Sequence, residues 1–287
     1  MKIFVITKKT LIIIAAALLI ALAAVIAFIV TRSGKKHAET TSARPVTSVG
    51  TVKTHTGLLS AEDAYEKEVL AGFKKELPVY SVLRNDKKIA LTIDAAWDDD
   101  KTPFILETLE RYGVHATFFL CGFWAEAYPE QVRAISEAGH TIGNHTMTHP
   151  HMTKLSEAQM LDELTKLDDA VERVTGKRPK LFRAPYGEYN DSVILAVRRA
   201  GYEPIQWDID TIDWKPERSS QTILDTVLSK LHDGAIILCH NNGYKIEEYL
   251  PTLIETAIAN GYTFVTVDEL LIKGDAVIDV NGVQKAK

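Results

Sequence analysis

KIALTIDAAWDDDKTPFILETLERYGVHATFFL, residues 88–120, contains one complete unit of the pattern from which the rest of the chain is built. Ile89–Ile93 is an apolar run of strand length. Thr102-Pro103 then opens a stretch with apolar residues at helical spacing, Gly113 closes it, and Ala116–Leu120 is a second strand-like run. The unit recurs. Strand-like runs at Thr141–Ile142, Lys180–Phe182, Pro204–Trp207, Ala235–Leu238 and Thr263–Val267 alternate with amphipathic stretches. One stretch opens at Pro129 and ends at Gly139. Another starts at Ser156, at capping-box spacing from Gln159, carries Met160, Leu161, Leu164, Leu167 and Val171 on one face, and ends at Gly176. Gly201 and Gly261 close two more. This alternation predicts a parallel α/β sheet, open or curled into a small barrel.

Outward from this domain the composition changes. Leu11–Val30 is an unbroken apolar run without charge, proline or glycine. As a helix it spans roughly 30 Å, the thickness of a bilayer core. It exceeds the usual h-region of a cleavable signal peptide, so it is read as an uncleaved anchor. Lys2, Lys8 and Lys9 precede it and Arg32, Lys35 and Lys36 follow. The expected organisation is a cytoplasmic tip and transmembrane signal-anchor at 1–32 and a flexible stalk at 33–60, rich in Thr, Ser, Lys and His. An edge helix and linker follow at 61–86, then the folded domain at 87–273 and a C-terminal tail at 274–287. The 287 residues carry a formal net charge of −5, which gives no basic face for nucleic acid. Cys121 and Cys239 each end an apolar run and are read as buried free thiols.

In parallel α/β folds the chemistry gathers at the carboxyl ends of the strands. There the sequence sets Asp94 after Ile89–Ile93, His145 and His149 after Thr141–Ile142, and Arg183 after Leu181-Phe182. Asp208, Asp210 and Asp213 follow Ile205–Trp207, and His240 follows Ile236–Cys239. His145 and His149, four residues apart, would lie on one face of a helical turn and grip one metal ion. Asp94 is placed to serve as a base toward water, and His240 to give a proton to a leaving amine. Arg183 and Asp213 are the natural neighbours to hold those two groups in opposite protonation states.

These residues resemble the five motifs of the polysaccharide deacetylase family, carbohydrate esterase family 4 or the NodB-homology domain, over about Ile89 to Leu271. Thr92-Ile93-Asp94 looks like the first motif, which implies that Asp94 is the catalytic base. His145 to His149 matches the metal-binding pair, and Arg183-Ala184-Pro185-Tyr186 is similar to the third motif. The resemblance implies that Arg183 orients the base and that the Tyr186 N–H helps bind the oxyanion. Asp210-Thr211-Ile212-Asp213-Trp214 matches the fourth motif, with Asp213 tuning the acid and Trp214 lining the groove. Leu238-Cys239-His240 looks like the fifth, with Leu238 beside the acetyl methyl and His240 as the acid. The family implies a distorted (β/α)7 barrel and a divalent ion of the zinc type, with cobalt, nickel and manganese as alternatives.

One residue departs from the pattern. The family's second aspartate, a metal ligand directly after the base, is Ala95 here. Asp98, Asp99 or Asp100 folding back, or water, would then complete the site; otherwise activity is lost. The expected function is a metal-dependent hydrolase removing N-acetyl groups from peptidoglycan, outside the cytoplasm on a single-pass membrane anchor through residues 11–30. The alternatives are deacetylation of another glycan, an acetylxylan-type esterase, and a catalytically silent glycan-binding protein.

Overall fold

The computed structural model describes residues 75–287. The expected anchor, the stalk and all but the end of the edge helix lie outside the described residues. Among the described residues, no helix is long and apolar enough to cross a membrane.

The strand–helix units form where the sequence pattern sets them. The strands are β1 (Ser81–Val82), β2 (Lys88–Ala95), β3 (Thr117–Leu120), β4 (Thr141–Asn144), β5 (Leu181–Phe182) and β6 (Glu203–Pro204). Then come β7 (Ile209–Asp210), β8 (Ile236–His240), β9 (Thr263–Phe264), β10 (Ala276–Ile278) and β11 (Val283–Ala286). The helices are α1 (Thr102–Tyr112), α2 (Gly122–Ala127), α3 (Pro129–Glu137), α4 (Glu157–Thr175), α5 (Asp191–Arg199), α6 (Ser220–Lys230), α7 (Ile246–Ala259) and α8 (Val267–Leu270). The longest, α4, begins at the capping box of Ser156 and Gln159 and ends at left-handed Gly176. Its Leu164, Leu167 and Val171 are buried, as the periodicity requires.

The main sheet runs in the order β6-β5-β4-β3-β2-β8-β7, with β9 against the start of β2. Every pairing in it is parallel. β2 is the hub: beyond Lys88 each of its residues is buried, as a strand covered on both faces must be.

The expected distorted (β/α)7 barrel takes the form of a curled parallel sheet with a seam. The edge strands β6 and β7 do not pair with each other. The five residue steps from Pro204 to Ile209 reach at most roughly 17 Å, so the two edges must curl toward one another. They are too short for the crossover that parallel pairing demands. The single strand expected over Pro204–Trp207 is therefore a seam crossing. Ile205 N donates to Phe182 O on one edge (2.8 Å), and Asp208 N donates to Ile236 O on the other (3.2 Å). The segment ahead of β2 covers the seam: Val79 N donates to Pro204 O (2.9 Å) and Val82 N to Gly234 O (3.0 Å).

Residues 274–287 are not a tail. β10 and β11 form an antiparallel hairpin about Asn281-Gly282, and β11 pairs parallel with β1, giving a second sheet of three strands. The polar composition hid a short alternating strand, central in that sheet, in which Gln284 is buried.

Gly234 locks the seam segment. Its φ is +85°, and a Cβ there would stand 1.7 Å from Val82 O. Gly234→Ala is expected to destabilise the domain by about 3 kcal/mol in chemical unfolding, because strain and a backbone clash act together. A loss within experimental error would mean that this segment frays independently of the sheet.

Candidate active site

Except for Asp208, which accepts from Ile236 N (2.9 Å) and pairs with His232, the residues flagged at strand ends converge on one cavity of about 480 Å³. Asp94, His145, His149, Tyr186, Trp214, Leu238 and His240 all line it, with Trp97, Trp207, Asp210 and Asn242. Arg183 and Asp213 lie buried just behind that wall. The sheet register accounts for the central pair: Asp94 on β2 stands directly opposite His240 on β8.

On one side, Arg183 is fully buried and fixes Asp94. Its Nη1 donates to Asp94 Oδ1 (2.7 Å) and to Thr92 Oγ1 (2.9 Å), and its Nη2 donates to Gln206 O (3.0 Å). The guanidinium lies 4.1 Å from the Phe119 ring centroid. Burial alone would raise the Asp94 pKa, but Arg183, then His145 and His240, outweigh it and hold the carboxyl below its usual value. Asp94 is thus an ionised base with one oxygen tied down, and its Oδ2 lies 3.6 Å from His145 Nε2.

The two imidazoles are not on a helical turn. His145–His149 is an irregular loop in which Thr146 (φ 71°) and His149 (φ 57°) are left-handed. Side chains hold it: Asn144 Oδ1 accepts from Thr146 N (2.9 Å) and Thr146 Oγ1 from His149 N (3.0 Å). The spacing was informative, but the helical reason for it was not. Pro150 bars a helix after the pair, and asparagine and threonine supply the alternative backbone bonds.

His145 Nδ1 meets the Arg183 carbonyl at 2.8 Å. A carbonyl only accepts, so Nδ1 carries the proton and Nε2 presents a lone pair. His149 Nδ1 is buried without a hydrogen-bond partner, and its ring is packed by Trp97, Tyr186 and His145 at centroid distances of 5.1, 4.5 and 5.0 Å. Burial pulls both histidines down, His149 to about 4, so both are neutral at physiological pH. Neutral, converging, unpaired ring nitrogens fit a divalent cation.

Among the described residues, one group of side chains has ligand atoms close enough to share such an ion. It is Cys121, His145 and His149, all within 4.8 Å of one another. The replacement ligand expected from Asp98, Asp99 or Asp100 is absent from that group. Trp124 Nε1 and Asn241 Nδ2 both donate to Asp98 O at 2.7 Å, which ties down the backbone of that loop. Asp99 faces Gln131, whose Nε2 donates to it at 3.4 Å.

On the opposite side, Asp213 orients His240. Asp213 Oδ1 accepts from His240 Nδ1 (2.7 Å), and its Oδ2 accepts from His240 N (3.1 Å) and from the Tyr249 hydroxyl (2.6 Å). Gly243 leaves room for this, since a Cβ there would fall 2.2 Å from Asp213 Oδ2. Burial lowers the His240 pKa, but the hydrogen bond and charge of Asp213, with Asp94 and Asp210 adding, more than reverse it, and the net shift is upward. Gln206 and Tyr249 support the site without any sequence signal, because each acts through a contact made only on folding. Cys121 did carry a signal, its place at a strand end.

A family model described as polysaccharide deacetylase matches residues 82–205. A peptidoglycan-N-acetylglucosamine deacetylase of Bacillus cereus is 33% identical over 216 residues, spanning 74% of this chain and 78% of that one. The chain belongs to the polysaccharide deacetylase family. A peptidoglycan-N-acetylmuramic acid deacetylase of Bacillus subtilis is a second similar polysaccharide deacetylase, 32% identical over 66% of this chain and 73% of its own length. Among solved structures, a carbohydrate esterase family 4 pseudoenzyme of Bacillus anthracis superposes with a TM-score of 0.64. It is 35% identical and covers 67% of this chain and 68% of that one. A mutant of that pseudoenzyme with restored activity has the same TM-score.

Proposed function

We propose that the chain is a metal-dependent deacetylase that hydrolyses N-acetyl groups of peptidoglycan outside the cytoplasm, held to the membrane through residues 11–30. The observation that carries this reading is the facing pair across one cavity: Asp94, whose pKa Arg183 holds down, and His240, whose pKa Asp213 raises. A base and an acid with pKa values pushed apart are what amide hydrolysis requires. The likeness to deacetylases named for peptidoglycan supports the substrate class.

His145 and His149 would hold a divalent cation, which would supply the Lewis acidity to acidify water and polarise the acetamide carbonyl. Asp94 Oδ2 takes a proton from the attacking water as the new C–O bond forms. Arg183 keeps the other Asp94 oxygen fixed, so the free one stays aimed into the cavity. His240, with Nδ1–H committed to Asp213, presents Nε2–H to the amide nitrogen and protonates it as the C–N bond breaks. Acetate and a free amine leave. Leu238 lines the cavity as an apolar surface for the acetyl methyl, and Trp214, half exposed, offers a face for a sugar ring.

Purified chain added to acetylated peptidoglycan is expected to release acetate and generate free amino groups in equal amounts. A chelator should stop the release and zinc restore it. Acetate without amines would instead indicate an esterase. Ala95 and the pseudoenzyme relative favour one second reading, a silent glycan binder, which would retain the glycan and release nothing.

A further inference from the structure

The family's carboxylate ligand is missing at Ala95, yet a buried thiol lies beside that point. We infer that Cys121 replaces it, making the metal site of this chain a Cys121–His145–His149 thiolate–bis-imidazole centre. The inference rests on the proposed metal-dependent function and names the third protein ligand.

The sheet register places the cysteine. On β3, Leu120 pairs with Ala95 of β2 on one side and with Asn144 of β4 on the other. The next residue, Cys121, therefore stands between the end of β2, where the carboxylate is absent, and His145. The backbone agrees: Cys121 N donates to Ala95 O at 2.9 Å, and the thiol lies 3.4 Å from His145 O. Cys121 is extended at φ −79°, ψ 145° and fully buried, in the same apolar cluster as Ala95 and Leu120 beside the end of β2.

The neighbours complete the argument. Cys121, His145 and His149 offer three ligand atoms within 4.8 Å of one another. His149 Nδ1 is buried and unpartnered, and His145 Nε2 holds a lone pair because Nδ1 is committed to Arg183 O. The carboxylates of Asp98, Asp99 and Asp100 do not enter the group. Thiolate with two imidazoles is a zinc-type donor set, with borderline-soft ligands and positions left for water and substrate. Its charge of −1 equals that of the absent carboxylate set. On binding, the S–H proton leaves to solvent and a metal–sulfur bond forms in its place, without any redox change.

The full chain titrated with Co2+ tests this directly. A near-ultraviolet thiolate-to-cobalt charge-transfer band is expected in the parent, lost in Cys121→Ser and retained in Cys239→Ser. Zinc affinity should fall at least roughly tenfold in Cys121→Ser, since even losing an outer-shell partner costs that much. Adding Ala95→Asp to Cys121→Ser should restore affinity without restoring the band, which no folding defect would produce. X-ray absorption on the zinc-loaded parent needs no variant and should report one sulfur at about 2.3 Å. Cobalt bound with no charge-transfer band, and zinc with only nitrogen and oxygen neighbours, overturns the cysteine ligand while leaving the metallohydrolase reading intact. Failure of the parent to bind either ion overturns both.

Discussion

Asp94→Asn should reduce turnover by roughly 10^3-fold, within the range that positioned acid–base groups contribute. The substitution keeps the shape and an acceptor for Arg183 Nη1, but removes the charge and the capacity to take a proton. The same change has a second, separable consequence. Arg183 is fully buried and its Nη1 ion-pairs with Asp94 Oδ1 at 2.7 Å, so the variant leaves an uncompensated buried cation. Breaking a buried pair in this way costs about 3–5 kcal/mol. The loss should be smaller here, because the hydrogen bonds from Arg183 to Thr92 Oγ1 and Gln206 O persist. The pH dependence of stability should follow. The Asp94 pKa is depressed in the folded state, so its contribution is present above the unfolded carboxylate value of about 4 and is lost as pH falls below it. Asp94→Asn should remove that part of the acid sensitivity. Activity measured on the folded fraction, with unfolding followed in parallel, separates the two effects. A folded Asp94→Asn protein retaining a tenth of parental turnover would exclude Asp94 as the base.

What the sequence revealed, and what it hid, follows from range. Period-2 and period-3.6 patterns are local, so β2, α1, β3 and α4 were legible, as was the position of Asp94 and His240 at strand ends. Register is not local, yet parallel strands of similar length align their carboxyl ends, which is why residues 146 positions apart in the chain meet across β2 and β8. The seam reads as one strand over Pro204–Trp207 because Pro204, Ile205 and Trp207 make a largely apolar run broken only by Gln206. Only the backbone bonds show that its two ends belong to opposite edges of the sheet. Tyr249 is another case. In the sequence it is one more aromatic on an amphipathic helix, and the fold turns its hydroxyl into the third donor on Asp213. Cys121 met the same strand-end criterion as the histidines, but was read as a core thiol because free cysteines are commonly buried hydrophobes.

His240→Ala is expected to reduce hydrolysis of the acetamide by roughly 10^2- to 10^4-fold. The deficit should shrink sharply on an activated acetyl ester, whose leaving group departs without a proton. That contrast isolates the acid role from any structural damage, which would affect both substrates alike. Asp213→Asn gives the complementary test. In the parent, Asp213 raises the His240 pKa, so the protonated acid survives to higher pH than an ordinary imidazole allows. With the carboxylate replaced by an amide that raising influence is gone, and the alkaline limb of kcat/KM should move to lower pH. The amide nitrogen can also donate into Nδ1 and trap the ring as the neutral Nε2–H tautomer, which lowers the limiting rate as well. The Tyr249 hydroxyl and the His240 N–H still need an acceptor on residue 213, so the fold should survive better with Asn than with Ala. An alkaline limb that stays where it is in Asp213→Asn, with His240→Ala equally impaired on ester and amide, would show that His240 holds the cavity together rather than delivering the proton.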